Sequence, residues 1–123
     1  MTAAGSEALA RRLAALADSK KAEEIVVLDM RGLVAYTDFL VICTARNERQ
    51  ARAIVDEVRL QLKNESGLLP GGADTAGEAG WSILDYLDCV LHVQVPEMRD
   101  RYRLERLWGE GSRLELTLEG AAD

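Results

Sequence analysis

The spacing of apolar residues in the first third of the chain predicts one helix followed by two buried strands. Three leucines recur at helical intervals and predict a helix over residues 6–18, with Ser6 as its N-cap. The unbroken apolar run at 25–28 is typical of a strand that is buried on both faces, and the run at 39–43 predicts a second such strand. The residues between them, 33–36, could continue as a short extended piece.

A change of apolar period after the second strand predicts a long amphipathic helix. Apolar positions from 51 to 62 recur at intervals of three and four, which places them on one helical face. Asn47 followed by Gln50 resembles a capping box at the start of this helix. Asn64 and Gly67 are its predicted stop signals.

Alternation with a period of two then predicts a β-hairpin. The glycine-rich stretch at 67–80 cannot hold regular structure for long and is predicted to be a loop. Residues 81–86 and 89–95 are predicted to be two strands joined by a tight turn at 87–88, with alternate residues on opposite faces. Pro96 ends the second strand and fits the first turn of a helix.

The last part of the chain is predicted to be a helix followed by a tail. Apolar positions recur on one side of this helix up to Trp108, and Gly109 and Gly111 are its predicted stop signals. Alternating leucines within residues 112–123 could add a strand, or this tail could be disordered. The order α-β-β-α-β-β-α indicates an α/β fold, a mixed β-sheet flanked by helices, with one domain over residues 1–111.

The length and composition fit a single folded domain with an uneven charge distribution. The chain has 123 residues, 48% of them hydrophobic, and a formal net charge of −6. The first 66 residues carry ten basic and ten acidic side chains, so the whole acidic excess falls in the second half. No Lys or Arg occurs between Gly67 and Met98. Such a surface repels a phosphate backbone and favours a basic protein partner, with direct RNA contact minor at most.

Cysteine and histidine are too sparse for a zinc cage or a disulfide framework. Cys43 and Cys89 stand 46 positions apart, and His92 is the only histidine. Both cysteines fall in apolar runs, where a thiolate is disfavoured. No apolar run approaches the ~20 residues needed to cross a bilayer. We therefore expect a cytoplasmic protein, in a reducing compartment, without a metal or cofactor.

Three features resemble parts of active sites, and each has a simpler interpretation. The segment 72–77 has the outer glycines of a phosphate-binding loop, but Glu78 stands where the lysine is needed. Asp85 and Asp88 could hold Mg²⁺ together, although aspartates at a turn commonly bond the nearby backbone instead. His92 could act as a general base oriented by either aspartate, although a hydrogen-bonded structural histidine accounts for it as well.

Three sequence blocks resemble the ribosomal silencing factor family, also called Iojap-like proteins. They are TDFLVICTARNERQARAIVDEV at 37–58, WSILDYLDCVLHV at 81–93 and RDRYRLERLW at 99–108. The blocks occur in the order and at the separations of the family, and the resemblance covers about residues 6–110.

The resemblance implies a function without catalysis. Family members bind the large ribosomal subunit through the basic ribosomal protein L-fourteen, on the face where the small subunit docks. They thereby block subunit joining and slow translation when nutrients are scarce. The fold is likened to that of nucleotidyltransferases, without their active site.

The resemblance also places the partner-binding surface on the hairpin and the helix that follows it. Trp81 and Tyr86 are expected to be aromatic anchors, and Asp85 and Asp88 acidic ones. The matching pattern adds four further expected contact residues: His92, Arg99, Tyr102 and Glu105.

Three positions depart from the family pattern. Leu87 takes the place of a turn glycine, so a turn that needs a positive φ there would be strained. Arg101 replaces an aromatic residue and brings a basic group near the expected interface. Ala76 replaces a glutamate before the loop glycine.

The residues leave two other functions open. One is a divergent Mg²⁺-dependent nucleotidyltransferase that uses Asp85 and Asp88, and the other is an adaptor for a different basic protein. An exposed apolar hairpin could also pair two copies of the chain as a homodimer when the ribosome is absent.

Overall fold

The computed structural model describes residues 3–71, 80–107, 113, 114 and 116. These residues form four helices and five strands, in the order α1 (Ala3–Ser19), β1 (Glu23–Asp29), β2 (Phe39–Thr44), α2 (Glu48–Ser66), β3 (Trp81–Asp85), β4 (Cys89–Gln94), α3 (Pro96–Arg101), α4 (Leu104–Leu107) and β5 (Arg113–Leu114). The predicted order is confirmed up to β4. In place of one final helix there are two short helices and a two-residue strand.

The five strands of the described residues belong to one mixed sheet with the order β3-β4-β2-β1-β5. β2 runs parallel to β4, whereas the other neighbouring pairs are antiparallel. Parallel neighbours need a crossover connection, and α2 lies within this one. The predicted α/β class, a mixed sheet flanked by helices, is confirmed.

The larger core lies between the sheet and the two long helices. Fully buried side chains such as Leu13 of α1 and Ile54 of α2 pack against the same face of the sheet. Every residue of β2 is buried, as the apolar run at 39–43 predicts. Cys43 and Cys89 lie in this core as free thiols, and burial raises the pKa of both to about 12. Neither thiol is therefore activated as a nucleophile.

A smaller apolar cluster covers the opposite face of the sheet. It consists of buried side chains from β1, β2 and β4 and of one residue just beyond β1: Leu28, Leu40, Ile42, Val90 and Met30. Leu104 of α4 packs against this cluster. The helices therefore flank both faces, but only the α1–α2 face is covered by long ones.

Helix α2 begins after the N-cap Asn47 and ends at Gly67, and its capping box differs from the prediction in one hydrogen bond. The Asn47 side chain accepts a hydrogen bond from the backbone N–H of Gln50 at 2.8 Å, as a capping box requires. The Gln50 side chain accepts from the backbone N–H of Arg46 instead of Asn47. Gly67 ends the helix with φ 69°, whereas Asn64 lies inside it.

The prediction that Ser6 caps the first helix is wrong. α1 begins at Ala3, so Ser6 lies inside the helix. Its buried hydroxyl donates a hydrogen bond to Asp38 Oδ2 at 2.7 Å. Ser6 therefore ties α1 to the start of β2, because a buried hydroxyl needs a partner.

Strand β1 is less completely buried than its apolar run suggests. Val27 and Leu28 are fully buried, but Ile25 and Val26 are half-buried because a β-bulge interrupts the pairing between Glu23 and Val26. The extended piece expected at 33–36 is absent from the described structure, where these residues form a turn and bends.

The C-terminal region also differs from the prediction. Tyr102 has φ −117° and ψ 79°, which are not helical values and separate α3 from α4. β5 pairs antiparallel with β1, so part of the expected tail does add a strand, and Leu116 packs against the larger core. Trp108, the predicted stop glycines and the boundary after residue 111 lie outside the described residues, and the boundary stays a prediction. None of the described helices is long and apolar enough to cross a membrane.

Candidate partner-binding hairpin

The predicted hairpin is the edge of the sheet. Among the described residues β3 is the outermost strand and pairs only with β4, in a register that joins Trp81 to Gln94, Ile83 to His92 and Asp85 to Val90. Because side chains alternate along a strand, these residues of β3 lie on the face opposite α1 and α2. All three are half-buried.

Trp81 connects the hairpin to His92 and to the junction of α3 and α4. Its indole Nε1 donates a hydrogen bond to His92 Nδ1 at 3.1 Å. Its ring also packs on Tyr102, with ring centroids 5.0 Å apart and an interplanar angle of 37°. Burial lowers the pKa of His92 to about 4. The imidazole is therefore neutral at pH 7 and accepts a hydrogen bond through Nδ1, as a structural histidine does.

The turn of the hairpin has the strained conformation expected for a leucine in place of glycine. Leu87 has φ 68° and is 72% exposed. The Asp85 carboxylate accepts a hydrogen bond from the Leu87 backbone N–H at 2.8 Å, which confirms the turn interpretation of this aspartate. The Asp88 carbonyl accepts hydrogen bonds from the backbone N–H groups of Asp38 and Phe39 and so joins the turn to β2.

Replacing Leu87 with glycine should raise the free energy of unfolding by about 1 kcal/mol. A left-handed residue that carries a Cβ costs roughly 1–2 kcal/mol, and glycine avoids this cost while adding entropy to the unfolded chain. Urea denaturation measures the change. Leu87→Ala is the matched control, because alanine also removes the exposed leucine side chain but keeps the Cβ. Equal stabilisation by both variants would show that backbone strain is not the cause.

Tyr86 is part of the core and does not form an exposed anchor. It is 6% exposed and packs in the cluster between the sheet and the long helices. Burial raises the pKa of its hydroxyl, which has no hydrogen-bond partner among the described residues. The expectation of an aromatic anchor at this position is therefore corrected, because Tyr86 lies on the face that α1 and α2 cover.

Arg99 and Glu105 are paired with each other inside the protein. They are 3% and 4% exposed, and Arg99 Nη2 lies 2.7 Å from Glu105 Oε2. Arg99 Nη1 also donates a hydrogen bond to Thr44 Oγ1 at 2.9 Å. This network joins α3, α4 and β2, so neither side chain is available to a partner as expected. Their contribution to binding can only be through the position of α3 and α4.

The remaining expected contact residues are partly accessible and follow the hairpin from Trp81, which packs on Tyr102, to Asp85 and Asp88 at the turn. We call the group of Trp81, Ile83, Asp85, Asp88 and Tyr102 the hairpin face; each of its members is half-buried. His92 lies beside it on β4. Ile83 was not expected from the sequence, although it alternates with Trp81 and Asp85 on the same strand and its period of two could have identified it.

Two further exposed side chains lie on the loop between β1 and β2. Leu33 is 53% exposed and Tyr36 is 65% exposed. This loop and the hairpin turn stand at the same end of the sheet, because Phe39 pairs with Cys89. The sequence analysis noted residues 33–36 only as a short extended piece. In the structure they form an exposed loop.

Some of the remaining candidates from the sequence lie outside the described residues. The glycine segment 72–77, with Ala76, and the adjacent Glu78 lie outside the described residues. Within the described ranges, no three His, Cys, Asp or Glu side chains are grouped as metal ligands would be. Arg101 is exposed and pairs with Glu97 in the same helix, with Arg101 Nη2 at 3.3 Å from Glu97 Oε1.

Comparison with known proteins gives consistent matches. The family model described as "Ribosomal silencing factor during starvation" matches residues 3–123. The protein named Ribosomal silencing factor RsfS from Bacillus subtilis is 36% identical over 103 residues, 84% of this chain and 86% of the relative. The protein of the same name from Halalkalibacterium halodurans is 36% identical over 99 residues, 80% of this chain and 84% of the relative.

A more distant relative and a solved structure extend these matches. The mouse protein named "Mitochondrial assembly of ribosomal large subunit protein 1" is 28% identical over 101 residues, 78% of this chain and 43% of that protein. A crystal structure of a protein from Chromobacterium violaceum superposes with a TM-score of 0.75 at 27% identity and covers 97% of this chain and 93% of the other.

Proposed function

The chain belongs to the ribosomal silencing factor family, and we propose that it binds the large ribosomal subunit through ribosomal protein L-fourteen. The bound protein would obstruct joining of the small subunit and so repress translation under nutrient limitation, in the cytoplasm. The family is named for silencing the ribosome and not for an enzymatic reaction. The name of the mouse relative, which refers to the large ribosomal subunit, supports the choice of subunit.

The hairpin face is the proposed contact surface. The observation that carries this assignment is the half-buried pair of Trp81 and Tyr102, whose rings pack 5.0 Å apart at the edge strand β3, which also carries Asp85 at its other end. Partly exposed aromatic side chains commonly supply most of the binding energy at an interface. Asp85 and Asp88 add negative charge in a segment without basic residues, which suits a basic partner.

The proposed mechanism is steric. A standard interface buries about 800 Å² on each partner, a small part of the accessible surface of this protein, 6938 Å². A 13.5 kDa protein held on the docking face of the large subunit would occupy space that the small subunit needs. We also propose that two free copies pair through the hairpin face when the ribosome is absent, because its aromatic surface would otherwise face water.

Reversing one charge on the hairpin face should weaken binding to large subunits at least tenfold, or about 1.4 kcal/mol. Asp88→Lys places a cation opposite a basic partner, and the Asp88 carbonyl that supports the turn is retained. Co-sedimentation with purified large subunits measures the affinity, and light scattering after addition of small subunits measures joining. Asp56→Lys is the matched control, because Asp56 is an exposed acid on α2.

The outcomes separate the parts of the proposal. Loss of binding by Asp88→Lys, with binding retained by Asp56→Lys, supports the hairpin face. Equal binding by both variants and the unmodified protein would show that the contact lies elsewhere. A bound protein that leaves subunit joining unchanged would contradict the steric mechanism while leaving the binding surface intact. Crosslinking to a ribosomal protein other than L-fourteen would contradict the choice of partner.

A further inference from the structure

A cavity near the β1–β5 end of the sheet is lined by arginines. It has a volume of about 520 Å³ and lies between the start of β1, β5 and the α3–α4 segment. The described part of its charged lining consists of four arginines and two glutamates: Arg99, Arg103, Arg106, Arg113, Glu24 and Glu105. This described part is net positive, in a chain whose formal charge is −6.

Two of the four guanidinium groups are available to a ligand. The Arg99 guanidinium already binds Glu105 and Thr44, and Arg103 pairs with Asp100. Arg106 and Arg113 are exposed, and neither has a carboxylate within ion-pair distance among the described residues. Guanidinium groups present paired donors that match the oxygens of phosphate. The cavity thus has the buried Arg99–Glu105 pair in its wall, two exposed arginines that pair with no carboxylate of the described residues, and Glu24 as the other acid of the described lining.

The part of the cavity wall formed by β1 contains one residue in a left-handed backbone conformation and two apolar side chains. Glu24 has φ 48° and lies in the β-bulge between Glu23 and Val26. A left-handed conformation costs roughly 1–2 kcal/mol for a residue other than glycine, and bulges are frequent next to binding sites. Ile25 and Val26 are half-buried in the same wall. The cavity therefore combines cationic donors with an apolar surface that a flat ring could contact.

We propose that this cavity binds a small phosphorylated ligand of the nucleoside diphosphate class. Arg106 and Arg113 would bind the phosphates, and the base would contact Ile25 and Val26. The volume falls within the roughly 300–1,000 Å³ of small-molecule pockets. A single-stranded RNA is the less favoured ligand, because its long backbone would extend beyond the cavity over an acidic protein.

This site is separate from the hairpin face, although one segment touches both. The Tyr102 ring packs on Trp81 of the hairpin, and the next residue, Arg103, lines the cavity. A ligand in the cavity would therefore contact the segment that supports Tyr102. The inference does not depend on the partner assigned to the hairpin face, and Asp88→Lys should leave ligand binding unchanged.

Isothermal titration calorimetry of the full chain with ADP, inorganic pyrophosphate and a decamer of single-stranded oligoadenylate tests the proposal. We expect saturable binding of ADP and pyrophosphate, with affinity at least tenfold weaker in Arg106→Glu and, separately, in Arg113→Glu. Arg52→Glu is the matched control, because Arg52 is an exposed arginine on α2. Circular dichroism checks that each variant is folded.

Each other outcome overturns a stated part of the proposal. Absence of binding by both ADP and pyrophosphate would overturn it altogether. Binding of the oligoadenylate without ADP would assign the cavity to RNA and not to a small ligand. Binding of pyrophosphate but not of ADP would show that the ligand is a phosphate compound without a nucleoside. An equal loss of affinity in Arg52→Glu would show that the ligand responds to overall charge and not to this cavity.

Discussion

Replacing Arg99 with methionine should lower the free energy of unfolding by about 3–5 kcal/mol. The variant would leave the Glu105 carboxylate 4% exposed and without its partner, and an uncompensated buried charge is destabilising by about that amount. It would also remove the hydrogen bond to Thr44. Urea denaturation at pH 7 measures the loss.

The double variant Arg99→Met with Glu105→Leu is the control for this prediction. Replacing both members of a buried ion pair with apolar residues of similar volume is often neutral or stabilising, so most of the lost stability should return. A double variant as unstable as Arg99→Met would show that the carboxylate is not the source of the cost. The folded double variant should still co-sediment with large subunits. Loss of its binding would show that the ion pair is needed to position α3 and α4 for the partner.

Acidification from pH 6.5 to pH 4 should destabilise the protein by up to about 3 kcal/mol through His92 alone. Burial lowers the pKa of His92 to about 4, whereas an unfolded histidine titrates near 6.5. Within this pH range the unfolded state binds a proton that the folded state does not, so stability falls as the pH falls. The contribution is fully present above pH 6.5. Protonation of Nδ1 would also break the hydrogen bond from Trp81.

His92→Gln separates this effect from the titration of carboxylates in the same range. Glutamine does not titrate, and its amide oxygen can accept a hydrogen bond from Trp81 Nε1. The measurement is the free energy of urea denaturation at pH 7, 6, 5 and 4 for both proteins. We expect the difference between them to change steadily with pH. A constant difference would mean that His92 is not the titrating group.

The elements with a clear apolar period could be predicted from the sequence. The run at 39–43 is the fully buried β2, and the helical stripe at 51–62 is the buried side of α2. The hairpin was predicted to within one residue at each end, because its alternation and Pro96 mark its limits. In each case local periodicity and packing favour the same element.

The candidate site was predicted less well. Its residues were chosen for their chemical type, without regard to the face of the sheet on which each side chain lies. Tyr86 follows Leu84 by two positions and shares its buried face, a signal that the alternation contained. The pairing of Arg99 with Glu105 had no such signal. Residues six apart do not meet on a continuous helix, and they meet here because the chain leaves the helical conformation at Tyr102.

The parallel pairing of β2 with β4 has a consequence during synthesis of the protein. Phe39 of β2 must pair with Cys89 of β4, which leaves the translating ribosome 50 residues later. Until then β2 has only β1 beside it, and the apolar run at its centre is without its second neighbour. Long-range contacts of this kind close late and at an entropic cost. The nascent chain therefore pairs both edges of β2 only after the hairpin has been translated, and a chain truncated before β4 leaves one edge of this apolar strand unpaired and prone to aggregation.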